Sequence, residues 1–251
     1  MTNEDRDARR AEFRLALDNI RDVQLDLQRL LGEGKTIVPK ADFEHVLEYL
    51  VPSDKQVGPL PECSLERLSE IALSCQACKL SATRHSVVFG EGKLQPLAMV
   101  VGEGPGADED ASGRPFVGRA GQYLDRWLAS IGLSRQSNAY IANIVKCRPP
   151  GNRDPEADEV EACLPYLKRQ VELIQPRSIL CLGRTAAHTL LSSTDSIQQM
   201  RSRWYRFDSI PVLVTYHPSA VLRNPDLRAA VWEDLKRLAA FLKIDIPAKA
   251  R

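Results

Sequence analysis

Leu97-Ala98-Met99-Val100-Val101-Gly102-Glu103-Gly104-Pro105-Gly106 is the stretch on which the fold turns. An unbroken apolar run that ends in a glycine-rich turn reads as a strand buried on both faces and feeding a tight loop. Further short apolar runs at Ala139–Val145, Ser178–Gly183 and Pro211–Tyr216 alternate with helical patterns at Ala120–Ile131, Ala157–Ile174, Arg184–Leu191 and Asp226–Leu242. Strands alternating with helices predict an α/β fold, a three-layer α/β/α sandwich around a central, mostly parallel four-stranded sheet. In such a sheet, ligands sit outside the carboxyl ends of the strands. The unusual residues fall there: Gly102–Gly106 after Leu97–Gly102, Asn143 and Cys147 after the second run, Gly183-Arg184 after the third, and His217-Pro218-Ser219 after the fourth. Four loops are thereby expected on one rim.

The chain has 251 residues and a formal net charge of +1, which disfavours a protein that simply coats nucleic acid. Residues 1–60 carry a net −3 and residues 61–251 a net +4, so the basic excess lies with the motif-bearing part. The amino-terminal segment is polar, without a signal-peptide core, and no apolar run approaches the ~20 residues of a membrane span. These features predict a cytoplasmic protein with reduced thiols and no membrane partner. From Ala8 to Leu31 the apolar residues recur mostly at helical spacing, which predicts an amphipathic helix, a second helix is expected over Asp42–Leu50, and Pro52, Gly58, Pro59 and Pro61 mark a linker. The expected division is therefore a helical extension with linker, 1–61, and a catalytic domain, 62–251. The first helix either packs on its own domain or docks a protein partner.

Cys75 and Cys78 form a C-x-x-C pair, and Cys147 and Cys163 supply two more thiols after a long gap. Zinc ribbons present two close knuckles, which the fifteen residues between Cys147 and Cys163 do not reproduce. Four thiolates also hold iron–sulfur clusters, which tolerate irregular spacing. Cys181, inside an apolar run, reads as a core filler. A metal group here would pin the Cys147–Cys163 excursion as a rigid basic surface.

Gly102-Glu103-Gly104-Pro105-Gly106 with Glu109-Asp110, Gly113-x-Pro115-Phe116-Val117-Gly118-x-Ala120-Gly121, Asn143-x-x-Lys146-Cys147-Arg148-Pro149-Pro150 and His217-Pro218-Ser219 together resemble a family-4 uracil-DNA glycosylase. The resemblance runs from about Cys75 to Leu242 and includes the four cysteines in the family's order; it does not cover Met1–Pro61. It implies a [4Fe–4S] cluster on Cys75, Cys78, Cys147 and Cys163. It also implies cleavage of the N-glycosidic bond of deoxyuridine in single- or double-stranded DNA, as in base excision repair. By similarity, His217 donates to uracil O2 and Glu109 is the acid that places water or stabilises the cationic sugar. Glu103 and the backbone of Gly104 to Gly106 shape the pocket floor, with N–H groups open to the base.

The residue types suit that chemistry. The Asn143 amide offers a donor to uracil O4 and an acceptor to N3–H, and cytosine reverses both. Phe116 is placed to stack on an extruded base. In Ala220-Val221-Leu222-Arg223, Leu222 is expected to wedge into the minor groove and Arg223 to hold phosphate. Lys146, Arg148, Arg114, Arg119, Arg201 and Arg203 are expected to extend the phosphate track. No lysine is placed for Schiff-base chemistry, which predicts monofunctional hydrolysis. The alternatives are a non-catalytic iron–sulfur protein that binds nucleic acid and recruits a partner, and a glycosylase with shifted base specificity.

Overall fold

The computed structural model describes residues 60, 62–201 and 203–246. The expected helices at 8–31 and 42–50, the linker, and any docking by the first helix lie outside the described residues. No helix among the described residues is long and apolar enough to cross a membrane.

The sheet has six strands, two more than the sequence predicts: β1 (Glu91–Gly92), β2 (Ala98–Gly102), β3 (Ala139–Asn143), β4 (Ile179–Leu182), β5 (Trp204–Phe207) and β6 (Ile210–Thr215), in the spatial order β1-β3-β2-β4-β6-β5. The four expected strands form the parallel centre, with Gly102 opposite Asn143 and Leu182 opposite Thr215. The additional strands are antiparallel edges. Neither edge is a buried apolar run: β1 has two residues, and β5 alternates exposed and half-buried positions. Apolar-run logic finds central strands and passes over such edges.

Among the described residues there are eight α-helices, in chain order α1 (Leu65–Leu73), α2 (Ala107–Ser112), α3 (Arg119–Ser130), α4 (Ala157–Ile174), α5 (Arg184–Leu191), α6 (Ile197–Met200), α7 (Pro218–Arg223) and α8 (Leu227–Leu242). Side chains alternate across each central strand. Met99, Val101, Ala142, Cys181 and Val214 join one core with residues of α1, α4 and α5. Val100, Ile141, Leu180 and Leu213 join the other with residues of α3, α7 and α8. Helices thus flank both faces. After β2 the chain moves to β3 on one side and later returns to β4 on the other, so a crevice opens where the carboxyl ends of β2 and β4 diverge.

Candidate functional site

The β2 and β3 ends bring three site residues together. Gly102 lies where a Cβ would meet Asn143 Oδ1 at 2.5 Å and Phe116 Cζ at 2.5 Å, so glycine is required for amide and ring to share that space. From the other side, the Phe116 and His217 ring centroids are 5.7 Å apart. His217 follows β6, and a Cβ on Gly183, at the end of β4, would lie 3.0 Å from His217 Cβ. Phe116, Asn143 and His217 therefore line one slot at the rim.

Asn143 is only 1% exposed, and neither Oδ1 nor Nδ2 has a hydrogen-bond partner among the described residues. An unmet buried polar group costs about 1–3 kcal/mol. Two on one side chain mark a group held ready for a ligand. Phe116 adopts φ +53°, a left-handed conformation that disfavours a side chain, and Gly121 faces its carbonyl, where a Cβ would fall 2.0 Å from Phe116 C and O.

His217 is the N-cap of α7 and accepts a hydrogen bond at Nδ1 from the Ser219 N–H at 3.2 Å, with Ser219 Oγ 2.8 Å away. Because a backbone N–H can only donate, Nδ1 is the acceptor and the ring proton of the neutral imidazole sits on Nε2. Burial, helped by the Arg223 charge and opposed by Glu109, pushes the His217 pKa down to about 4. The ring is neutral at pH 7 and presents one N–H.

Glu109 binds backbone. Its Oε2 accepts from Gly106 N at 3.1 Å, and Oε1 accepts from Val117 N and Gly118 N at 2.8 and 2.9 Å. It caps α2 and ties the glycine-rich loop to the Phe116 loop. The Gly106 N–H, expected to face the base, is instead committed to Glu109. Gly104 packs beside Val145, whose Cγ2 a Cβ would approach to 2.8 Å. Glu103 is half-buried, which raises its carboxyl pKa, while Thr185 supports the charged form. It joins the β2 and β4 loops.

Lys146 departs from expectation. Instead of facing phosphates it is 2% exposed, with Nζ donating to Asn143 O at 2.8 Å and Gln170 Oε1 at 2.6 Å. Gln170 is held in turn by Phe89 O at 2.9 Å. Arg201 is likewise withdrawn from the phosphate track, since it pairs with buried Asp234 at 2.7 Å and lies over Tyr216. Asp234 also accepts from Thr215, two residues before His217, and so holds the end of β6. Arg114 forms a two-bond pair with Glu91, at 2.8 and 2.9 Å. Arg148 contacts Asn152 in its own loop, and Leu222, on α7 beside Arg223, is 39% exposed.

On the opposite face of the sheet, Cys75, Cys78, Cys147 and Cys163 line one cavity with Ala72, Arg84 and Tyr166. The three segments involved are the turn after α1, the loop after β3 and the second turn of α4. The Lys146 backbone N–H donates to Cys163 Sγ at 3.2 Å, and Arg84 Nη1 to Cys147 Sγ at 3.3 Å. Burial raises the thiol pKa of Cys78 and Cys147, and pushes Cys163 up to about 12. Donors aimed at sulfur suit thiolate, which buried thiols become when a metal centre replaces the proton. Cys181, also pushed up to about 12 by burial, lies in the core as expected, away from this cavity.

Comparison with known proteins places the architecture. The uracil DNA glycosylase superfamily profile matches residues 89–236. The type-4 uracil-DNA glycosylase of Sulfurisphaera tokodaii is 46% identical over 184 residues, 70% of this chain and 83% of that protein. That of Thermotoga maritima is 43% identical over 185 residues, 71% of this chain and 95% of that protein. The type-5 enzyme of Pyrobaculum aerophilum is 32% identical over 149 residues, 53% of this chain and 66% of that protein. With Phe116, Asn143 and His217 gathered at the rim of a parallel sheet, these similarities over most of the described residues mean that the chain belongs to the uracil DNA glycosylase superfamily and, within it, to the type-4 uracil-DNA glycosylases.

Proposed function

We propose that this chain hydrolyses the bond between C1′ of deoxyribose and N1 of uracil in DNA, releasing uracil and leaving an abasic site for base excision repair. Family membership supports the activity, and the unpartnered Asn143 amide is the observation that carries the substrate assignment. Uracil supplies what that side chain lacks: N3–H for Oδ1 and O4 for Nδ2. Cytosine presents an acceptor and a donor in the reverse order. With the amide held in the orientation of the structure, both Asn143 atoms would then be left unmet, a difference of a few kcal/mol.

As the C1′–N1 bond breaks, its electron pair moves onto the base and spreads to O2, while positive charge develops on the sugar. The His217 Nε2–H donates to O2. A neutral imidazole is too weak an acid to give up that proton readily, so it stabilises the uracil anion by hydrogen bonding. Glu109 Oε2 has one donor and keeps lone-pair capacity to orient the attacking water; as the water oxygen bonds to C1′ its proton passes to this carboxylate, and the departing uracil anion takes up a proton from solvent. The negative carboxylate also favours the cationic sugar. Phe116 stacks on the extruded base and Leu222 fills the space it leaves. Arg223 and Arg148 are the described cations assigned to DNA phosphate.

The four-thiol cavity suits a [4Fe–4S] cluster held by Cys75, Cys78, Cys147 and Cys163. When bound, the cluster supplies a covalent cross-link among three chain segments, and no chemical step passes through it.

Incubation of iron-loaded protein with an oligonucleotide containing one uracil, followed by alkali, tests the assignment. Scission at the uracil position with release of the free base is expected. No release under full iron loading rejects the activity, and zinc in place of iron and sulfide rejects the cluster.

A further inference from the structure

Arg135 lies in the turn between α3 and β3, outside every sequence motif that marks the slot, yet its side chain is 3% exposed. A buried guanidinium persists only where its donors and charge are met. Here Nη1 donates to Pro115 O and Nη2 to Phe116 O, each at 2.7 Å. Nε and Nη2 also reach Asp125 Oδ1 at 3.0 and 2.9 Å, and Glu91 lies 3.9 Å from Nη1. The planar fork therefore grips two consecutive main-chain carbonyls, a geometry that a lysine ammonium cannot reproduce. The second carbonyl belongs to the residue that stands at φ +53° and turns its ring into the slot. Gly121 closes on the same carbonyl from another direction.

We infer that Arg135 is a positioning residue for base capture: by holding the Pro115 and Phe116 carbonyls it fixes the left-handed backbone that sets the Phe116 ring where an extruded base must stack. The inference rests on the assignment of the slot to uracil. The consequence is confined to capture. Arg148 and Arg223, the cations assigned to phosphate, lie outside this loop, so DNA affinity should be independent of Arg135 and the fraction of bound DNA with its base in the slot should not.

Single-turnover uracil release by the full chain tests the idea. In Arg135→Gln, the rate at saturating enzyme is expected to fall about tenfold, the scale of one lost base–aromatic stack. The half-saturating enzyme concentration and the affinity for a uracil-free duplex should stay at wild-type values. Arg135→Lys should recover part of the rate through one carbonyl. Gly121→Ala should lower the saturating rate in the same way, and the double variant should be no slower than the slower single, since both act through one carbonyl. Asp125→Asn alters a side chain 49% exposed and tests the orientation of the guanidinium where Arg135→Gln fails to fold; a smaller fall in saturating rate is expected. A wild-type chain that releases no uracil overturns the slot assignment itself. Active wild type beside a folded Arg135→Gln with an unchanged saturating rate overturns the role of Arg135. So does a loss seen only in DNA affinity, or, where that variant does not fold, unchanged rates in both Gly121→Ala and Asp125→Asn.

Discussion

The slot and the thiol cavity sit on opposite faces of one sheet and are built on opposite terms. Phe116 belongs to the core shared with α3 and α8, and Cys147 and Cys163 to the core shared with α1 and α4. In the slot the fold leaves polar atoms unmet, both ends of the Asn143 amide, and surrounds them with rigid supports. In the cavity it aims donors at sulfur, and burial keeps Cys78, Cys147 and Cys163 protonated until a metal displaces the protons. One site withholds stability for the sake of its ligand; the other gains stability from its ligand. They meet at Lys146, whose Nζ holds the Asn143 carbonyl and whose N–H faces Cys163. A buried lysine thus joins recognition to scaffold.

The largest effect that can break this contrast is at Asn143. Asn143→Ala should lower single-turnover uracil release by roughly 10²–10³-fold, the scale of losing a preorganised polar contact. It should leave the melting temperature unchanged or slightly raised, because it deletes buried groups that nothing satisfies. A clear drop in melting temperature alongside the rate would mean that the amide serves the fold. Cys163→Ser should show the reverse balance. Iron content should fall and the protein should lose about 2–4 kcal/mol, or roughly 5–15 °C in melting temperature. Molecules that retain iron should keep most of their activity. Iron analysis, thermal melts and kinetics on one preparation separate the two profiles.

Much of both sites is written in the sequence, for a physical reason. Glycines, an amide and a histidine immediately after buried apolar runs are poor packing choices, so they expose the rim, and a C-x-x-C pair is conspicuous in a chain with six cysteines. The sheet edges are hidden because β1 is two residues long and β5 carries mixed polarity. Lys146 misleads because a lysine beside Arg148 looks solvated. Only the fold brings Gln170, twenty-four positions away, to its ammonium group. Glu109 carries a signal that an acid–base reading overlooks: glycine followed three residues later by glutamate at a helix start is a capping pattern. Arg135 carries no local signal. Its partners Pro115 and Phe116 come from another loop, so its role exists only after folding.

The smallest expected effect sharpens the comparison most, because burial acts on both sites with opposite sign. It raises the Cys78, Cys147 and Cys163 thiols and lowers His217 to about 4, in each case favouring the uncharged form. For His217, the unfolded imidazole, near 6.5, binds more protons than the folded one between that pH and about 4. Its contribution to stability is therefore complete above about pH 6.5 and is lost as the pH falls through that window toward 4. The rate should barely change over most of the same range. With a pKa of about 4 the ring is about 90% neutral at pH 5, whereas an imidazole at 6.5 would be only about 3% neutral. Single-turnover release at saturating enzyme should thus stay within about twofold from pH 8 to pH 5, and decline only near pH 4. Arg223→Gln removes the charge that assists burial and should move this acid limb upward. Reloading of metal-stripped cavity thiols should weaken steadily with acid over the same interval, since protons compete for every sulfur. An acid limb near 6.5 would mean that burial does not depress the His217 pKa and would make the slot as proton-sensitive as the cavity.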